Sequence, residues 1–292
     1  MTSQAANPSD ASTATLARHE HLQNVLAGLG SAVVAFSGGV DSTLLLHVAH
    51  ETLGDRVVAA SGLSETYAAE EMADARRLAA LIGVPYEVVP TMELTDPRYA
   101  NNSHQRCYFC KTELYTRLDT VRDRLGFAAI IDGANADDLK DFRPGVRAAA
   151  ELGVRSPLQE VGLTKAEIRT LSASFGLPTW DKPAVACLSS RFAYGDPITI
   201  EKLSKVGKAE RELGKLGFRG ARVRHHDTVA RIEVPVDRLG EALARREAIV
   251  AAVRVAGYQY VTLDLEGYRT GSQNEVLHAR LKPGGLRGEG AV

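Results

Sequence analysis

Short apolar runs rich in β-branched residues alternate, in the N-terminal part of the chain, with longer segments that place apolar residues at helical spacing. Such runs are typical of buried parallel strands. They lie at residues 33–36, 56–62, 85–90 and 128–131. Helices are predicted between them, for example over residues 16–29 and 65–82. This alternation predicts an α/β fold built on a doubly wound parallel sheet.

Local signals add detail to two of the predicted helices. In the helix over residues 65–82, we expect Leu78, Leu81 and Ile82 to be among the inward positions. Further along, Thr164 stands three residues before Glu167. This is the spacing of a capping box, so a helix is predicted to begin there.

The pattern changes after Thr199. Residues 221–226 and 229–234 alternate apolar and polar positions, as strands with one wet face do. Helices are predicted over 200–216 and 237–256, and a last strand over 258–264. These elements predict a smaller α+β domain. Its adjacent His225 and His226 would point to opposite faces of a strand, so they are not assigned to a metal site.

These patterns divide the chain into four parts. We expect a disordered tail over residues 1–15, a larger α/β domain over 16–194, a smaller α+β domain over 195–281 and a loose tail over 282–292. The first fifteen residues are small and polar, and they lack the basic start and apolar core of a signal peptide.

Composition excludes several classes of protein. The 292 residues are 45% hydrophobic and 24% charged, with a formal net charge of −1, as in ordinary globular proteins. The near-zero charge gives no indication of nucleic-acid or membrane binding, and no apolar run approaches the ~20 residues that cross a bilayer. Three cysteines, Cys107, Cys110 and Cys187, argue against a disulfide scaffold and favour a reducing cytoplasm.

The first strand leads into Ser37-Gly38-Gly39, and a helical pattern starts directly afterwards. Glycines allow the backbone to approach a ligand closely, and the first amides of a helix attract anions. The motif S-G-G-V-D-S is neither a Walker loop nor a dinucleotide fingerprint. It resembles the PP-loop of the N-type ATP pyrophosphatases, although a glycine turn without a ligand is the alternative.

This resemblance implies that residues 37–42, the PP-loop, hold the pyrophosphate of ATP. The ends of parallel strands lie on one rim, so Ser61 and Gly62 are candidates for adenine contacts. The residues assigned to ATP are Ala35, Phe36, Ser37, Gly38, Gly39, Asp41, Ser42, Ser61, Gly62, Arg106 and Gly133.

Four segments stand out along the chain: S-G-G-V-D-S, R-C-Y-F-C-K, D-G-A-N-A-D-D with R-P-G after it, and K-P-A-V-A-C-L-S-S-R. Together they resemble the LarE family of ATP-dependent sulfur transferases, which act in the maturation of the nickel-pincer cofactor of lactate racemase. Their order and spacing match over residues 16–275, and residues 264–269 resemble the family's final strand.

The resemblance implies a substrate, a reaction and an assembly. ATP would adenylate a ring carboxylate of a pyridinium mononucleotide and release pyrophosphate, and a cysteine sulfur would displace AMP. In members with a single cysteine, the protein's own cysteine gives up its sulfur and becomes dehydroalanine. A homo-oligomer, a hexamer by family resemblance, is expected in the cytoplasm.

The residue types fit this chemistry. Mg²⁺ would bridge phosphate oxygens and one or two carboxylates, with Asp41 as a candidate ligand and Asp137 as a second. Cys187 is the candidate sulfur nucleophile, and Lys182 and Arg191 flank it in sequence and could lower its thiol pKa. An inert buried thiol is the alternative.

Cys107 and Cys110 form a C-x-x-C motif, which suggests a metal site or a redox pair. With Cys187 they make three thiolates, too few for a Cys₄ zinc site. Three cysteines can hold a [4Fe-4S] cluster with one open iron that delivers sulfide, a variation on four-thiolate ligation. Simple packing near the rim is the alternative.

The C-terminal domain supplies candidates for binding of the substrate and a metal. Arg222 and Arg224 lie two residues apart, on one face of a strand, and with Arg191 they are candidate ligands of a substrate phosphate. A solvated strand face is the alternative. The acidic positions Glu210, Glu233 and either Glu241 or Asp237 resemble a divalent-metal cluster at the family's subunit contact.

Three other functions remain open at this stage. A PP-loop amidotransferase of the NAD synthetase type would use ammonia and would not need Cys187. A tRNA-thiolating enzyme would need a basic surface, which the net charge disfavours. A nucleotide-binding regulator would bind ATP without releasing pyrophosphate.

Overall fold

A computed structural model of the chain describes residues 11–66, 69–140, 144–183 and 186–269. The described residues form two compact units, which divide between Cys187 and Leu188. The predicted tail over 282–292, most of the tail over 1–15, Arg143 and residues 184–185 of the cysteine motif lie outside the described residues.

The first unit contains a parallel sheet of four strands in the order β3-β2-β1-β4. Its strands are β1 (Ala32–Ala35), β2 (Val57–Leu63), β3 (Tyr86–Pro90) and β4 (Ala129–Ile131). Its helices are α1 (Thr13–Leu29), α2 (Val40–Leu53), α3 (Ala69–Ile82), α4 (Pro97–Ala100), α5 (Arg106–Leu125), α6 (Pro144–Glu151), α7 (Pro157–Glu160) and α8 (Lys165–Ser174).

Alternate residues of the central strand β1 belong to different cores. Val34 packs in a core that includes Leu22 of α1 and Leu45 of α2. Its neighbour Val33 packs in a second core with Leu118 of α5. Because successive strand residues point to opposite faces, helices cover both faces of the sheet, which confirms the predicted doubly wound α/β fold.

Helix α1 starts earlier than predicted. Ser12 caps it, since its Oγ accepts from the amide of Thr15 at 3.2 Å. Residues 13–15 are therefore helical, and the predicted disordered tail is wrong for them. In α3, Leu78 is buried as predicted, but Leu81 is 66% exposed, so its predicted inward position is also wrong.

The predicted capping box of α8 is confirmed. The amide of Glu167 donates to Thr164 Oγ1, and Glu167 Oε2 accepts from the amide of Thr164 at 3.0 Å. This reciprocal pair satisfies amides that the helix itself leaves without partners. The position of Lys165, the first residue of α8, is thereby fixed.

The second unit has a three-stranded sheet in the order β5-β6-β7. Strand β5 (Arg222–His226) pairs antiparallel with β6 (Val229–Glu233), which pairs parallel with β7 (Tyr260–Leu263). Its helices are α9 (Ile200–Lys215), α10 (Leu239–Ala244) and α11 (Arg246–Val255). This is the small α+β architecture that the sequence predicts.

Two details of this unit differ from prediction. The single helix expected over 237–256 is interrupted at Arg245, whose backbone (φ −104°, ψ 20°) leaves the helical region. The unit also begins at Leu188 rather than after Tyr194, because a short 3₁₀ helix, Leu188–Arg191, is bonded to β5 through Arg224, which donates to Ser190 O at 2.7 Å.

No helix within the described ranges is both long and apolar enough to cross a membrane. His225 is buried and His226 is exposed, which confirms that the two imidazoles lie on opposite faces of β5.

Candidate nucleotide and cysteine site

The PP-loop connects the end of β1 to the start of α2. Phe36 donates its amide to Ala60 O at 2.8 Å, which keeps the loop in register with β2. The hydroxyls of Ser37 and Ser42 lie 3.1 Å apart across the loop. Gly39 precedes α2 and offers no side-chain cap, so the first amides of the helix are suited to an anion.

Two glycines allow the close approaches that this loop requires. Gly38 has φ +67°, a left-handed conformation that side chains rarely adopt. A Cβ at Gly133 would lie 2.9 Å from the amide nitrogen of Ser42. Gly133 therefore packs residues 132–138, the acidic turn, directly against the start of α2.

One lysine joins the PP-loop to the acidic turn. Lys165 Nζ forms an ion pair with Asp41 Oδ2. The backbone amide of Lys165 donates to Asp137 Oδ2 at 2.9 Å. Asn135 Nδ2 also donates to Asp41 Oδ1, at 3.3 Å. The structure thus gathers both predicted magnesium ligands around Lys165, which sequence reasoning treated merely as the start of a helix.

A second lysine reaches the PP-loop from the segment before Cys187. Lys182 Nζ donates to Gly38 O at 3.0 Å and lies 3.9 Å from Asp74. Arg169 of α8 fixes this segment by donating to Trp180 O at 2.6 Å and to Lys182 O at 2.9 Å. The ammonium of Lys182 is thus directed at the PP-loop, whereas the sequence suggested an action on Cys187.

The other residues assigned to ATP have structural contacts of their own. Ser61 Oγ donates to Phe36 O and so joins β2 to β1. A Cβ at Gly62 would lie 3.0 Å from both Leu114 Cδ1 and Thr91 Cγ2. Arg106 is buried at the start of α5, where it donates to Asn102 Oδ1. Contacts of Ser61, Gly62 and Arg106 with ATP stay predictions.

The three cysteines share one electrostatic environment. Desolvation raises the pKa of the Cys107 thiol, and Cys187 raises it further. The pKa of Cys110 is raised by burial first, then by Glu93 and Cys187. Cys107 is exposed when the whole residue is considered, although protein atoms around its thiol desolvate it enough to raise the thiol pKa, whereas Cys110 and Cys187 are half-buried. In the described ranges, however, no three His, Cys, Asp or Glu side chains are grouped so as to hold a metal ion.

Glu93 is a buried acid that the sequence did not single out. It is 2% exposed, and its Oε1 accepts from Ser64 Oγ at 2.5 Å and from Thr66 Oγ1 at 2.9 Å. Its Oε2 has no hydrogen-bond partner among the described residues. A polar residue after an apolar strand was the available signal, but its inward orientation depends on bonds to Ser64 and Thr66, which lie 29 and 27 positions earlier in the chain.

A polar network links the cysteine helix α5 to the acidic turn. Tyr115 OH donates to Asp132 Oδ2 at 2.6 Å, and Ser156 Oγ donates to Asp132 Oδ1 at 2.7 Å. Lys111 Nζ lies 5.2 Å from the centre of the Tyr115 ring, and the pKa of Lys111 is raised, chiefly by Tyr115. This network fixes the helix of Cys107 and Cys110 relative to the rim of the sheet.

In the second unit, two predicted substrate arginines pair with two predicted metal ligands. Arg191 Nε donates to Glu210 Oε1 at 2.7 Å and its Nη2 to Oε2 at 3.0 Å. Arg224 makes the same two-pronged contact with Glu233, at 2.9 and 2.7 Å. Arg222 is buried beside the Tyr268 ring, and burial followed by Arg191 lowers its pKa.

The predicted acidic metal cluster is not gathered within the described part of one chain. Glu210 and Glu233 are bound to arginines, and Glu241 lies on α10, where Arg238 holds it at 2.7 Å. That hydrogen bond lowers the pKa of Glu241. A metal site that includes these residues stays a prediction.

Comparison with known proteins identifies relatives over most of the chain. No family model matches. An uncharacterized protein of Synechocystis is 46% identical over 260 residues, which cover 88% of this chain and 97% of that protein. An uncharacterized protein of Methanocaldococcus jannaschii is 28% identical over 82% of this chain and 90% of its own.

A third relative has an established name. The pyridinium-3,5-bisthiocarboxylic acid mononucleotide synthase of Lactiplantibacillus plantarum is 40% identical over 266 residues, 90% of this chain and 96% of the synthase. The match spans both compact units. At this identity and coverage, the resemblance found in the four sequence segments is confirmed: the chain belongs to the LarE family.

Proposed function

We propose that this protein is an ATP-dependent sulfurtransferase that converts a carboxylate of a pyridinium biscarboxylic acid mononucleotide into a thiocarboxylate, the precursor of the nickel-pincer cofactor. The name of the L. plantarum relative supports synthesis of a bisthiocarboxylic product. The observation on which the proposal rests is that one compact unit contains both the PP-loop and three cysteine thiols.

The first step activates the carboxylate, which is a poor acyl donor by itself. A carboxylate oxygen attacks the α-phosphorus of ATP, the bond to the bridging oxygen breaks, and pyrophosphate leaves. The amides at the start of α2 suit the departing anion. The ammonium of Lys165 contacts Asp41, and that of Lys182 donates to Gly38 O. Both supply positive charge beside the departing pyrophosphate.

One carboxylate of the PP-loop and one of the acidic turn fit a magnesium ion. Mg²⁺ in nucleotide sites is usually bound by one or two carboxylates together with phosphate oxygens. Asp41 and Asp137 both contact Lys165, so two carboxylates are present beside the loop. They would hold the ion, which when bound neutralises charge on the leaving pyrophosphate.

The second step transfers sulfur. The Cys187 thiolate attacks the acyl carbon, the bond from that carbon to the phosphate oxygen breaks, and AMP leaves behind a thioester. Loss of the Cys187 Cα proton to solvent and cleavage of its Cβ–S bond then give a thiocarboxylate and dehydroalanine. Each chain supplies one sulfur by this route.

The donor set also fits an iron–sulfur cluster in its chemistry, because three thiols share one environment. Cys107, Cys110 and Cys187 would hold a [4Fe-4S] cluster through three of its irons. Such a cluster supplies sulfide, so the protein would not be consumed. Among the described residues, the three thiols are not grouped closely enough to hold a metal ion. Binding of a cluster would therefore require them to move closer together.

The remaining parts of the proposal concern the substrate and the assembly. Arg191, Arg222 and Arg224 are proposed to bind the phosphate of the mononucleotide, and the protein is proposed to act in the cytoplasm as a homo-oligomer, a hexamer by family resemblance. No nucleic acid or membrane partner is proposed.

The test combines a pyrophosphate assay with mass spectrometry. Protein incubated with Mg·ATP and the pyridinium biscarboxylic acid mononucleotide should release pyrophosphate and form the thiocarboxylate, and Cys187→Ala should release pyrophosphate without forming it. An intact mass lower by one H₂S indicates transfer from Cys187. An unchanged mass, with an iron–sulfur absorption band in anaerobically purified protein, indicates the cluster.

The same assay separates the rival functions. An amide product formed from ammonia, undiminished in Cys187→Ala, would indicate an amidotransferase. ATP binding with no pyrophosphate release in the presence of the mononucleotide would indicate a regulator. Either result would contradict the proposed sulfur transfer.

A further inference from the structure

We propose that Lys182 is a ligand of the ATP phosphates and that Arg169 is a positioning residue that holds it over the PP-loop. The inference rests on the proposed function, because it requires ATP to occupy this loop. It adds to that function a specific pair of residues, which connects helix α8 to the loop through the segment that leads to Cys187.

The position of Lys182 favours a phosphate ligand. An ammonium has three donors, and Lys182 directs one of them to Gly38 O at 3.0 Å. Among the described residues, the carboxylate within ion-pair range of Lys182 is that of Asp74, 3.9 Å away, which is beyond hydrogen-bonding distance. About a quarter of the Lys182 side chain is exposed (26%), so the remaining donors are accessible to an anion that binds beside Gly38, at the start of α2.

Arg169 is bound to main-chain carbonyls, whereas most arginines of this unit pair with acids. Its two Nη atoms donate to Trp180 O and Lys182 O, at 2.6 and 2.9 Å. Within the described ranges, no carboxylate lies within ion-pair distance of Arg169. A planar guanidinium can hold two carbonyls in fixed relative positions, which a lysine ammonium cannot do in the same way.

The support beneath Arg169 is rigid. Helix α8 is fixed by its capping box, and Ile168 and Leu171 are fully buried beside Arg169. Lys182 itself lies outside any helix or strand, and its amide donates to Thr179 O at 3.0 Å. Arg169 therefore restricts a segment that has few other constraints, and it reduces the conformational entropy that Lys182 loses on binding phosphate.

The two lysines that contact the PP-loop, Lys165 and Lys182, are attached to α8 in different ways. Lys165 begins α8 and pairs with Asp41. Among the described residues, Lys182 is attached to the same helix through the side chain of Arg169, and its own amide bonds to Thr179 O, outside α8. Loss of Arg169 should therefore affect Lys182 and leave Lys165 in place. This difference makes the coupling between Arg169 and Lys182 measurable.

The experiment is a double-mutant cycle on ATP binding. Calorimetry with Mg²⁺ and a non-hydrolysable ATP analogue would compare the wild type with Lys182→Met, Arg169→Gln and the double variant. We expect Kd to rise about tenfold in Lys182→Met, which corresponds to about 1.4 kcal/mol, and severalfold in Arg169→Gln. The double variant should resemble Lys182→Met within about twofold, because Arg169 acts through Lys182.

Two further variants keep the result interpretable. Arg169→Lys retains the positive charge but loses the planar pair of Nη donors, so it should weaken binding of the ATP analogue nearly as much as Arg169→Gln. Arg124→Gln removes a surface arginine that pairs with Glu87 in the same unit, and it should bind as the wild type does. Equal melting temperatures of the Arg169 variants and the control would exclude a general loss of folding.

Different failures have different meanings. If the increases in Kd of the two single variants multiply in the double variant, Arg169 acts independently of Lys182. If the Kd of Lys182→Met equals that of the wild type, Lys182 does not contact the phosphates. Both results overturn this inference while leaving the proposed function intact. A wild type that does not bind the analogue would contradict the proposed function, and the inference with it.

Discussion

At the scale of single residues, Gly133 sets a sharp limit on side-chain size. A Cβ there would lie 2.9 Å from the Ser42 amide nitrogen and 3.2 Å from Ser42 Cα, so Gly133→Ala must separate the acidic turn from the start of α2. We expect a loss of about 1–3 kcal/mol in the free energy of unfolding and at least tenfold weaker ATP binding, measured by chemical denaturation and calorimetry.

Gly28→Ala is the matched control for this prediction. Gly28 lies within α1, and a Cβ there meets nothing within 4 Å. Alanine is favoured over glycine inside a helix by roughly 0.5–1 kcal/mol, so this variant should be as stable as the wild type or more so. If Gly133→Ala bound ATP like Gly28→Ala, the close packing of the turn on the loop would have no role in binding.

The buried carboxylate of Glu93 influences the ionisation of the nearby Cys110 thiol. Burial, and after it the carboxylate of Glu93, raises the pKa of Cys110. Glu93→Gln keeps an oxygen that can accept from Ser64 and Thr66 but removes the charge, so it should lower the pKa of Cys110. In metal-free protein at pH 9, the rate of iodoacetamide labelling at Cys110 should rise severalfold, measured by peptide mass spectrometry.

Cys107 provides the internal reference for that experiment. Its pKa is raised by desolvation and Cys187, and Glu93 is not among the causes. Labelling of Cys107 should therefore change much less than labelling of Cys110. A uniform increase at both sites would indicate that the substitution had loosened the whole region, and it would contradict a specific electrostatic effect.

At the scale of elements, α8 presents both Lys165 and Arg169 to the site, so its N-terminal cap should matter beyond local stability. Thr164→Ala should cost about 1 kcal/mol in the free energy of unfolding and should weaken ATP binding. Thr170→Ala, within the same helix, removes merely a hydroxyl bonded to Ala166 O and should change both quantities less. Equal effects of the two substitutions would exclude a special role of the cap.

The cap also predicts a dependence of stability on pH. Burial by itself would raise the pKa of Glu167, but hydrogen bonds from Thr164 and the charge of Arg18 outweigh it, and the net pKa is lowered. A carboxyl with a lowered folded-state pKa stabilises fully above its unfolded pKa, about 4.3, and loses that contribution as the pH falls through the folded value. Glu167→Gln should therefore be less sensitive to acid than the wild type below pH 5 in denaturation measurements.

Local signals predicted the elements well, and long-range contacts explain what was missed. The strand before the PP-loop and the capping box at Thr164 depend on neighbouring residues, so the sequence shows them directly. The contacts of Lys165 with Asp41 and of Lys182 with Gly38 join residues more than a hundred positions apart. The exposure of Leu81 and the break at Arg245 likewise depend on packing that periodicity does not record.

At the scale of the whole molecule, the candidate residues divide between the two units. The PP-loop, Lys165, Lys182 and the cysteines lie in the first unit. The second unit contains the arginine pairs, in which Glu210 and Glu233 orient Arg191 and Arg224. Arg222, in the same unit, packs beside the Tyr268 ring. If both units serve one reaction, substitutions in the first unit should weaken the binding of ATP, and substitutions in the second unit should weaken the binding of the mononucleotide.

Arg222→Gln should therefore raise the KM for the pyridinium mononucleotide about tenfold or more, because the proposed guanidinium contact to the substrate phosphate would be lost, while the Kd for the ATP analogue stays unchanged. Lys182→Met should show the opposite pattern in the same pyrophosphate and calorimetric assays. Arg254→Gln, at an exposed position on α11, is the control and should change neither constant. If Arg222→Gln weakened ATP binding as much as it raised the KM for the mononucleotide, the assignment of the two ligands to separate units would be wrong, and if neither constant changed, Arg222 would have no part in substrate binding.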